Sequence, residues 1–276
     1  KVALAESLAT GYLGGRGIIA RLLFDLAPAG TDPLGPDNPL IFAVGPLTGT
    51  IAPTSGRVMI GAKAPLTGII GFGTAGGRFG PQLKWAGYDG LIIQGQAAEP
   101  VYLLIRDGEM QLQPAGHLWG KDVNETERMI REEQGDAQLA VSCIGPAGEH
   151  CVRLATVMFD RVRSAGRGGL GAVMGSKRLK AVAVHGRGSV AIHDPEGLWH
   201  ESLRLIRRSV EKGYLASRWK SGTYGAFSRW NEFGALLTRN GQLGHFVGAD
   251  RIAASVYNER YRLGTRACFA CPTPCW

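Results

Sequence analysis

Three of the five cysteines in this 276-residue chain lie close together at its C-terminal end. Cys268, Cys271 and Cys275 have the spacing C-x2-C-x3-C, and thiolates this close in sequence usually share a metal ion or an iron–sulfur cluster. A [4Fe–4S] cluster normally takes four protein sulfurs, whereas the other two cysteines lie more than a hundred residues upstream. We therefore expect the chain to be a fragment whose fourth ligand lies beyond Trp276.

Two other interpretations of these cysteines stay open, namely a zinc site and unligated thiols. A structural zinc site would also need a fourth ligand, and no histidine follows Cys268. A disulfide framework is disfavoured because five cysteines are few and odd in number. Pro272 and Pro274 exclude a regular helix here and favour an irregular loop, which suits a metal centre. The iron–sulfur cluster is the preferred interpretation.

Composition and charge narrow the function classes. The net charge is +8, but the basic residues are scattered and form no tract interleaved with aromatics, which argues against a nucleic-acid partner. Anionic small molecules or an acidic protein partner would account for the charge. No run of eighteen apolar residues predicts a membrane span. The start of the chain lacks a methionine and a targeting signal, so we expect missing residues there and a cytoplasmic protein with reduced thiols.

Forty-one glycines alternate with short apolar segments that are typical of strands. Helical spacing interrupts these segments, and Asn124 is the predicted N-cap of one helix because Glu127 follows three residues later. The fold class is therefore α+β rather than a strict alternation of strands and helices. Strands are predicted at 39–47, 57–63, 90–96, 101–106, 139–145, 154–160 and 180–185, and helices at 3–26, 124–134 and 171–179.

A faint internal repeat relates the two halves of this region. The tripeptide at 44–46 recurs at 144–146, and the first glycine-rich turn (residues 74–80) is echoed by the second glycine-rich turn (residues 164–171). Backbone N–H groups approach anionic oxygens closely where no Cβ intervenes, and arginine adds bidentate phosphate pairing. Arg57 and Arg163 lie near the two turns in sequence. The pattern predicts a duplicated phosphate cradle, with ordinary turn glycines and a chance echo as the alternative.

The segments 71–76 and 166–171 both match G-x-G-x-x-G, the fingerprint of dinucleotide-binding proteins. That motif should follow a strand, open a helix and precede an acidic residue at the end of the next strand. The second match lacks the acid, because its next strand ends at His185-Gly186-Arg187. The first match precedes a segment that contains Pro81 and has no clear apolar face. Nicotinamide binding is disfavoured for both.

The ordered motifs of the chain resemble the tungsten-containing aldehyde ferredoxin oxidoreductase family. The resemblance runs from about residue 14 to residue 186 and resumes at Cys268. The family's polypeptide is much longer than this chain, which agrees with the incomplete ligand set. The blocks that carry the resemblance are GGRG at 14–17, GPLTGT at 45–50, SGR at 55–57, KAPLTG at 63–68, LKWAGYD at 83–89, IGPAGE at 144–149 and AGRGGLGAVMGSK at 165–177.

The resemblance implies a fold and two cofactors. In the family, a duplicated α+β domain carries two molybdopterin-type dithiolenes that sandwich a tungsten, and a [4Fe–4S] cluster lies beside one pterin. It implies a duplicated β-rich cofactor-base domain (1–187), a linker (188–195) and the start of an all-helical domain (196–276). The three clustered cysteines match the first three cluster ligands. The positions that match tungstopterin contacts are Arg57, Thr74, Gly76, Arg163, Ser164, Gly166 and Arg167, and Thr74 stands where the family often has asparagine.

The implied activity is oxidation of an aldehyde to a carboxylic acid, with electrons leaving through the cluster to ferredoxin or an electron-transfer subunit. The family's acid–base residues correspond to chain beyond Trp276, so no catalytic residue is nominated. Molybdenum in place of tungsten, another substrate such as an aromatic thioester, and a non-catalytic electron-transfer subunit are the alternatives. A homo-oligomer is possible, and no nucleic-acid or membrane partner is expected.

Overall fold

The structure is a computed structural model that describes residues 1–275, apart from the side chain of Ser217. Two compact units divide the chain. The first unit comprises residues 1–50 and 55–192, and the second comprises residues 51–54 and the chain from 193 onward. No sequence signal marks residues 51–54 as part of the second unit.

The first unit combines two β-sheets with short helices. Its strands are β1 (Leu40–Val44), β2 (Val58–Lys63), β3 (Ile70–Ala75), β4 (Gly90–Ile93), β5 (Val101–Arg106), β6 (Glu109–Pro114), β7 (Ala140–Cys143), β8 (Val157–Phe159), β9 (Arg163–Ala165) and β10 (Leu179–His185). Its α-helices are α1 (Glu6–Tyr12), α2 (Gly15–Leu26), α3 (Phe79–Trp85), α4 (Val123–Glu133), α5 (Pro146–Glu149) and α6 (Leu170–Ser176), with a 3-10 turn at Gly116–Leu118. The α+β class is confirmed.

Four strands of each sheet share one arrangement. The first sheet has the order β3-β2-β1-β4, and the second has the order β6-β5-β10-β7-β8-β9. All pairs within β3-β2-β1-β4 and within β10-β7-β8-β9 are antiparallel. The register also agrees, since Met59 pairs with Thr74 in the first sheet and Met158 pairs with Ser164 in the second. A helix leads into the last strand of each set, α3 into β4 and α6 into β10.

One apolar core joins the two sheets. Side chains from β1, β2, β7, β8 and β10 belong to a single buried cluster together with residues of α3 and α6. Phe42, Phe79 and Phe159 form its centre, with ring centroids 5.1 to 6.4 Å apart. Aromatic rings at such distances add to the free energy gained from burying their surface. The core therefore fixes the two sheets as one unit.

Two helix predictions were wrong in detail. The predicted helix at 3–26 is two helices, because Leu13 takes a φ of 59° and Gly14 is the N-cap of a new helix. A Cβ at Gly14 would lie 2.8 Å from the carbonyl oxygen of Val44, so the chain turns where only glycine fits. The N-cap of α4 is Asp122 rather than Asn124, since its carboxylate accepts from two backbone N–H groups in a capping box.

Local sequence patterns did not predict three strands and two short helices of the first unit, α3 and α5. β3 contains Gly71 and Gly73, β6 is polar and exposed, and β9 has only three residues, so none shows the apolar alternation of a strand. Helix α3 has Pro81 in its first turn, where a missing N–H costs little, and it buries Phe79 and Leu83. Tertiary packing decides these elements.

The second unit is helical in its described residues. Helix α7 spans Pro195–Glu211 and has Asp194 as its N-cap. It therefore begins one residue before residue 196, the predicted start of the helical domain. It is followed by α8 (Tyr214–Ser221), α9 (Phe227–Glu232) and α10 (Ala254–Arg260), with 3-10 turns at Thr223–Ala226 and Ala249–Ile252. Among the residues described, no helix has the length and apolar character that a membrane crossing would require.

A buried ion pair holds the loop before α4 on the second sheet. Lys180 of β10 pairs with Glu149 of α5, and both side chains are almost fully buried. Lys180 Nζ also donates to the carbonyl oxygen of Lys121 at 2.8 Å, and Glu149 Oε2 accepts from the Gly120 N–H at 2.8 Å. Each charge thus has a countercharge and a hydrogen bond, which a buried pair needs to be tolerated.

Substitution of Lys180 by methionine leaves the Glu149 carboxylate buried without its countercharge. Removing one partner of a buried pair costs about 3–5 kcal/mol, and we expect Lys180→Met to lower the free energy of unfolding by that amount in urea denaturation. A double variant with Lys180→Met and Glu149→Leu should recover much of the loss, because no unpaired charge remains. A double variant as unstable as the single one would contradict this account.

Ser142 is a buried polar residue whose Oγ has no hydrogen-bond partner among the residues described. Ser142 occupies the position in β7 that corresponds to Phe42 in β1. Each of the two residues pairs with the position that directly follows the methionine of the neighbouring strand, β8 or β2. An unpaired buried hydroxyl costs about 1–3 kcal/mol. We expect Ser142→Ala to leave the free energy of unfolding unchanged or raise it, whereas Ser176→Ala should lower it by about 1 kcal/mol, because Ser176 Oγ donates to Val173. Equal losses in both would contradict the prediction.

Candidate cofactor site

The edge strands of the two sheets, β3 and β9, pack closely against each other in the first unit. A Cβ at Gly71 of β3 would lie 3.1 Å from the Cα of Gly168, and a Cβ at Gly73 would lie 2.8 Å from the Cβ of Ala165. Contacts this short need glycine, because any side chain would push the strands apart. From the sequence, these glycines are only part of a disfavoured dinucleotide fingerprint, whereas the structure gives Gly71 and Gly73 a packing role within a strand.

Three of the predicted cofactor residues lie at the first glycine-rich turn. Arg57 directly precedes β2 and has an exposed side chain, and its carbonyl oxygen accepts from Thr48 Oγ1 at 3.4 Å. A Cβ at Gly80 would lie 2.9 Å from that same oxygen, so the backbone of Arg57 packs on the first turn of α3. Thr74 is exposed in β3 and its Oγ1 donates to Val58, while Gly76 is buried.

The other four predicted residues lie on β9 and the second glycine-rich turn. Arg163 and Ser164 belong to β9. Ser164 is exposed, and so is Thr74, which occupies the matching register position in β3. Gly166 and Arg167 follow as exposed residues. The turn then passes through Gly168 and Gly169, both in the left-handed region with φ of 78° and 61°, before α6 begins. Backbone of this kind favours glycine.

The electrostatics of this region suit an anion. The exposed guanidinium groups of Arg57 and Arg167 have no hydrogen-bond or ion-pair partner within residues 1–275. Asp160, in the turn between β8 and β9, accepts from the backbone N–H of Arg78 at 2.7 Å. Glycine backbone without side chains and uncommitted guanidinium groups together fit phosphate groups. The residues present are therefore compatible with pterin phosphates.

Asp160 and Gly77 are parts of this site that the sequence analysis did not single out. Gly77 has a φ of 102°, and a Cβ there would lie 2.4 Å from Asp160 Oδ2 and 3.6 Å from Arg163 Cγ. The only sequence signal is that aspartate and glycine are common in tight turns, which does not identify two turns that meet in space.

The predicted metal ligands lie on a loop of the second unit. Cys271 N–H donates to the carbonyl oxygen of Cys268 at 3.1 Å, which closes a turn, and Ala270 has a φ of 48°. The Cys271 and Cys275 sulfurs both lie near the Thr273 carbonyl, at 3.3 and 3.9 Å. The loop is irregular, as the two prolines predict, and all three cysteines are free thiols.

Two contacts hold this loop within the second unit. Trp219 Nε1 of α8 donates to the Pro272 carbonyl at 2.7 Å, and the Thr54 N–H donates to the Ala270 carbonyl at 2.8 Å. No group of three or more histidine, cysteine or acidic side chains converges with metal-binding geometry in the part of the chain that the structure describes. The thiols fit an iron–sulfur centre by type and spacing, and the cluster stays a prediction.

Comparison with known proteins agrees with these features. Residues 1–186 match the family of the aldehyde ferredoxin oxidoreductase N-terminal domain. The chain is 45% identical over 273 residues to a tungsten-containing aldehyde ferredoxin oxidoreductase of Pyrococcus horikoshii, covering 98% of this chain and 45% of that protein. It is 32% identical over 295 residues to the WOR-like subunit of an aliphatic sulfonate oxidoreductase of Pyrococcus furiosus, covering 100% of this chain and 46% of that protein.

A solved structure extends the likeness to three dimensions. The active-site complex of benzoyl coenzyme A reductase with 1,5-dienoyl-CoA contains a chain that superposes with a TM-score of 0.84. The two are 34% identical, and the match covers 98% of this chain and 43% of the other.

The α+β fold and the family match place the first unit in the class of oxidoreductase N-terminal domains. The chain belongs to the aldehyde ferredoxin oxidoreductase family, since the family domain matches residues 1–186 of its 276 residues. The chain spans less than half the length of the curated relatives it matches.

Proposed function

We propose that this chain is the cofactor-binding part of an oxidoreductase that converts aldehydes to carboxylic acids at a bis-pterin tungsten centre. The observation that carries the proposal is the pair of hairpins, β2–β3 and β8–β9, which pack against each other at β3 and β9 and each continue into a glycine-rich turn. Each hairpin presents a hydroxyl side chain, Thr74 or Ser164, at the same register position. A repeated strand arrangement with a repeated phosphate cradle is what two similar pterins would require.

The roles of the chain's own residues follow from their chemistry. Arg57, Arg163 and Arg167 would hold the pterin phosphates as guanidinium donors, which pair with phosphate in a bidentate way. Backbone N–H groups at Gly76 and Gly166 would approach the same oxygens where no side chain intervenes. When bound, the tungstopterin would supply the two-electron chemistry, while the protein orients it and sets its surroundings.

The overall reaction is balanced by water and by an electron acceptor. An aldehyde and one water give the carboxylic acid, two protons and two electrons. The electrons would leave through a [4Fe–4S] cluster held by Cys268, Cys271 and Cys275, together with a ligand from outside this chain. Ferredoxin or an electron-transfer subunit would then accept them. We propose a cytoplasmic location, because such a cluster needs reduced thiolates.

A second candidate function has a specific observation in its favour. The chain resembles the benzoyl coenzyme A reductase complex with a TM-score of 0.84, and that complex is solved with 1,5-dienoyl-CoA. A related enzyme acting on an aromatic thioester, or one that uses molybdenum, would share this cofactor base.

Metal analysis of the full-length protein, purified without oxygen, separates tungsten from molybdenum, and assays with aldehydes and with aromatic thioesters separate the substrates.

Removal of a cradle guanidinium should weaken cofactor retention. Arg57→Ala and Arg167→Ala in the full-length protein each remove a hydrogen bond to a charged group, worth about 1.5–3 kcal/mol. We expect each variant to hold the pterin and its metal about ten- to a hundredfold less tightly, measured as tungsten, molybdenum and pterin content per chain.

Arg207→Ala is the matched control for this prediction. Arg207 is an exposed residue of α7 in the second unit and, like the cradle arginines, has no ion-pair or hydrogen-bond partner in the described part of the chain. Its substitution should leave metal and pterin content at the level of the unaltered protein. Full occupancy in both cradle variants would overturn the assignment of Arg57 and Arg167.

The proposed cluster can be tested by its iron content. Cys271→Ser removes one thiolate, and we expect the iron of the full-length protein, about four atoms per chain if one such cluster is bound, to fall by most of its value. Cys151→Ser is the control, because Cys151 is a partly buried free thiol of the first unit outside the motif. Zinc instead of iron in the unaltered protein would show that the motif binds another metal.

A further inference from the structure

The turn between β8 and β9 reaches across to the first glycine-rich turn. Asp160 Oδ2 accepts a hydrogen bond from the Arg78 N–H at 2.7 Å, and Arg78 is the N-cap of α3. The carboxylate also closes over Gly77, where a Cβ would lie 2.4 Å from it. A residue between two strands of the second sheet therefore contacts the first glycine-rich turn, which follows a strand of the first sheet.

A matching contact runs in the opposite direction. The turn between β2 and β3 lies against the second glycine-rich turn, since a Cβ at Gly169 would lie 3.0 Å from Pro65 Cγ. A Cβ at Gly71 would meet both Ala64 Cβ, at 2.9 Å, and the Cα of Gly168, at 3.1 Å. Each hairpin turn thus packs on the glycine-rich turn of the other sheet, and the contact made by Asp160 is the polar one.

The Asp160 turn is itself held in an unfavourable backbone conformation. Asp160 and Arg161 have φ values of 46° and 63°, a region that side chains other than glycine rarely adopt. Arg161 Nε donates to Glu127 Oε1 at 3.1 Å, and Arg131 of the same helix as Glu127 donates to that oxygen at 2.8 Å. Surrounding contacts of this kind keep strained residues in place, and such residues tend to occur at functional sites.

We infer that Asp160 is a positioning residue for the cofactor site, which fixes the first glycine-rich turn by hydrogen bonding to Arg78. This inference rests on the proposed function of the turns as pterin cradles. It implies that the two cradles are not independent, because a change in the second hairpin disturbs the turn of the first. Loss of the Asp160 carboxylate should therefore loosen a segment more than 80 residues earlier in the chain.

The test is amide hydrogen exchange of the full-length protein, followed by mass spectrometry on peptides that cover residues 76–83. In Asp160→Ala the Arg78 amide loses its acceptor, and we expect exchange there to be at least about tenfold faster, since hydrogen bonds to carboxylates are among the stronger ones. Asp160→Asn keeps an acceptor oxygen and tolerates positive φ, so its exchange should stay within about threefold of the unaltered protein.

Asp107→Ala provides a matched control. Asp107 has a φ of 45° and accepts from the Arg187 N–H at 2.8 Å, but it lies in the β5–β6 turn at the opposite edge of the second sheet. Asp107→Ala therefore also removes an aspartate that accepts from a backbone N–H and that has a positive φ. Exchange at 76–83 should not change in this variant, and acceleration equal to that in Asp160→Ala would mean that general destabilisation, not positioning, is responsible.

Cofactor content separates this inference from the proposed function. If the unaltered protein holds pterin and metal, Asp160→Ala should lose most of both and Asp160→Asn should retain them. Faster exchange with full cofactor content in Asp160→Ala would overturn the positioning role. If the unaltered protein holds no pterin at all, the proposed function fails, whereas the exchange experiment still decides whether Asp160 fixes the turn.

Discussion

The close approach of the two edge strands, β3 and β9, is the constraint on which the proposed site depends. Gly71 against Gly168 and Gly73 against Ala165 allow the backbones to pack at distances that no larger side chain permits. Because each strand continues directly into a glycine-rich turn, this contact also places each of these turns against the hairpin turn of the other sheet. The shared aromatic core behind the strands keeps the two sheets from separating. The same packing therefore contributes to stability and also fixes the geometry of the proposed binding surface.

The charge distribution around this contact is equally specific. Arg57 and Arg167 are exposed and have no hydrogen-bond or ion-pair partner in the described part of the chain, and the carboxylate of Asp160 accepts from the backbone N–H of Arg78. In contrast, the buried charges of Lys180 and Glu149 neutralise each other. An unpaired cation at a protein surface keeps its full attraction for an anionic ligand.

The second unit contributes a different kind of chemistry. Its cysteine loop is irregular, tied by Trp219 and Thr54 to neighbouring backbone, and carries thiols with the spacing of cluster ligands. Hydrogen bonds to the carbonyls of Ala270 and Pro272 order the backbone of the loop while leaving the sulfurs available. A ligand loop needs this combination, since iron–sulfur clusters bind thiolates whose backbone is already held in a turn.

The sequence by itself determined the α+β class, most of the apolar strands, the helical region that begins with α7, the cysteine loop and the family. These features depend on local patterns and on the order of motifs along the chain. It did not determine β3, β9 or α3, whose glycines, shortness and Pro81 oppose their local preferences and whose formation depends on packing. Nor did it identify Asp160 as a partner of Arg78, since that contact joins residues 82 positions apart. The tertiary structure decided which glycines face one another, because close packing between sheets is a non-local property that leaves no periodic signal in the chain.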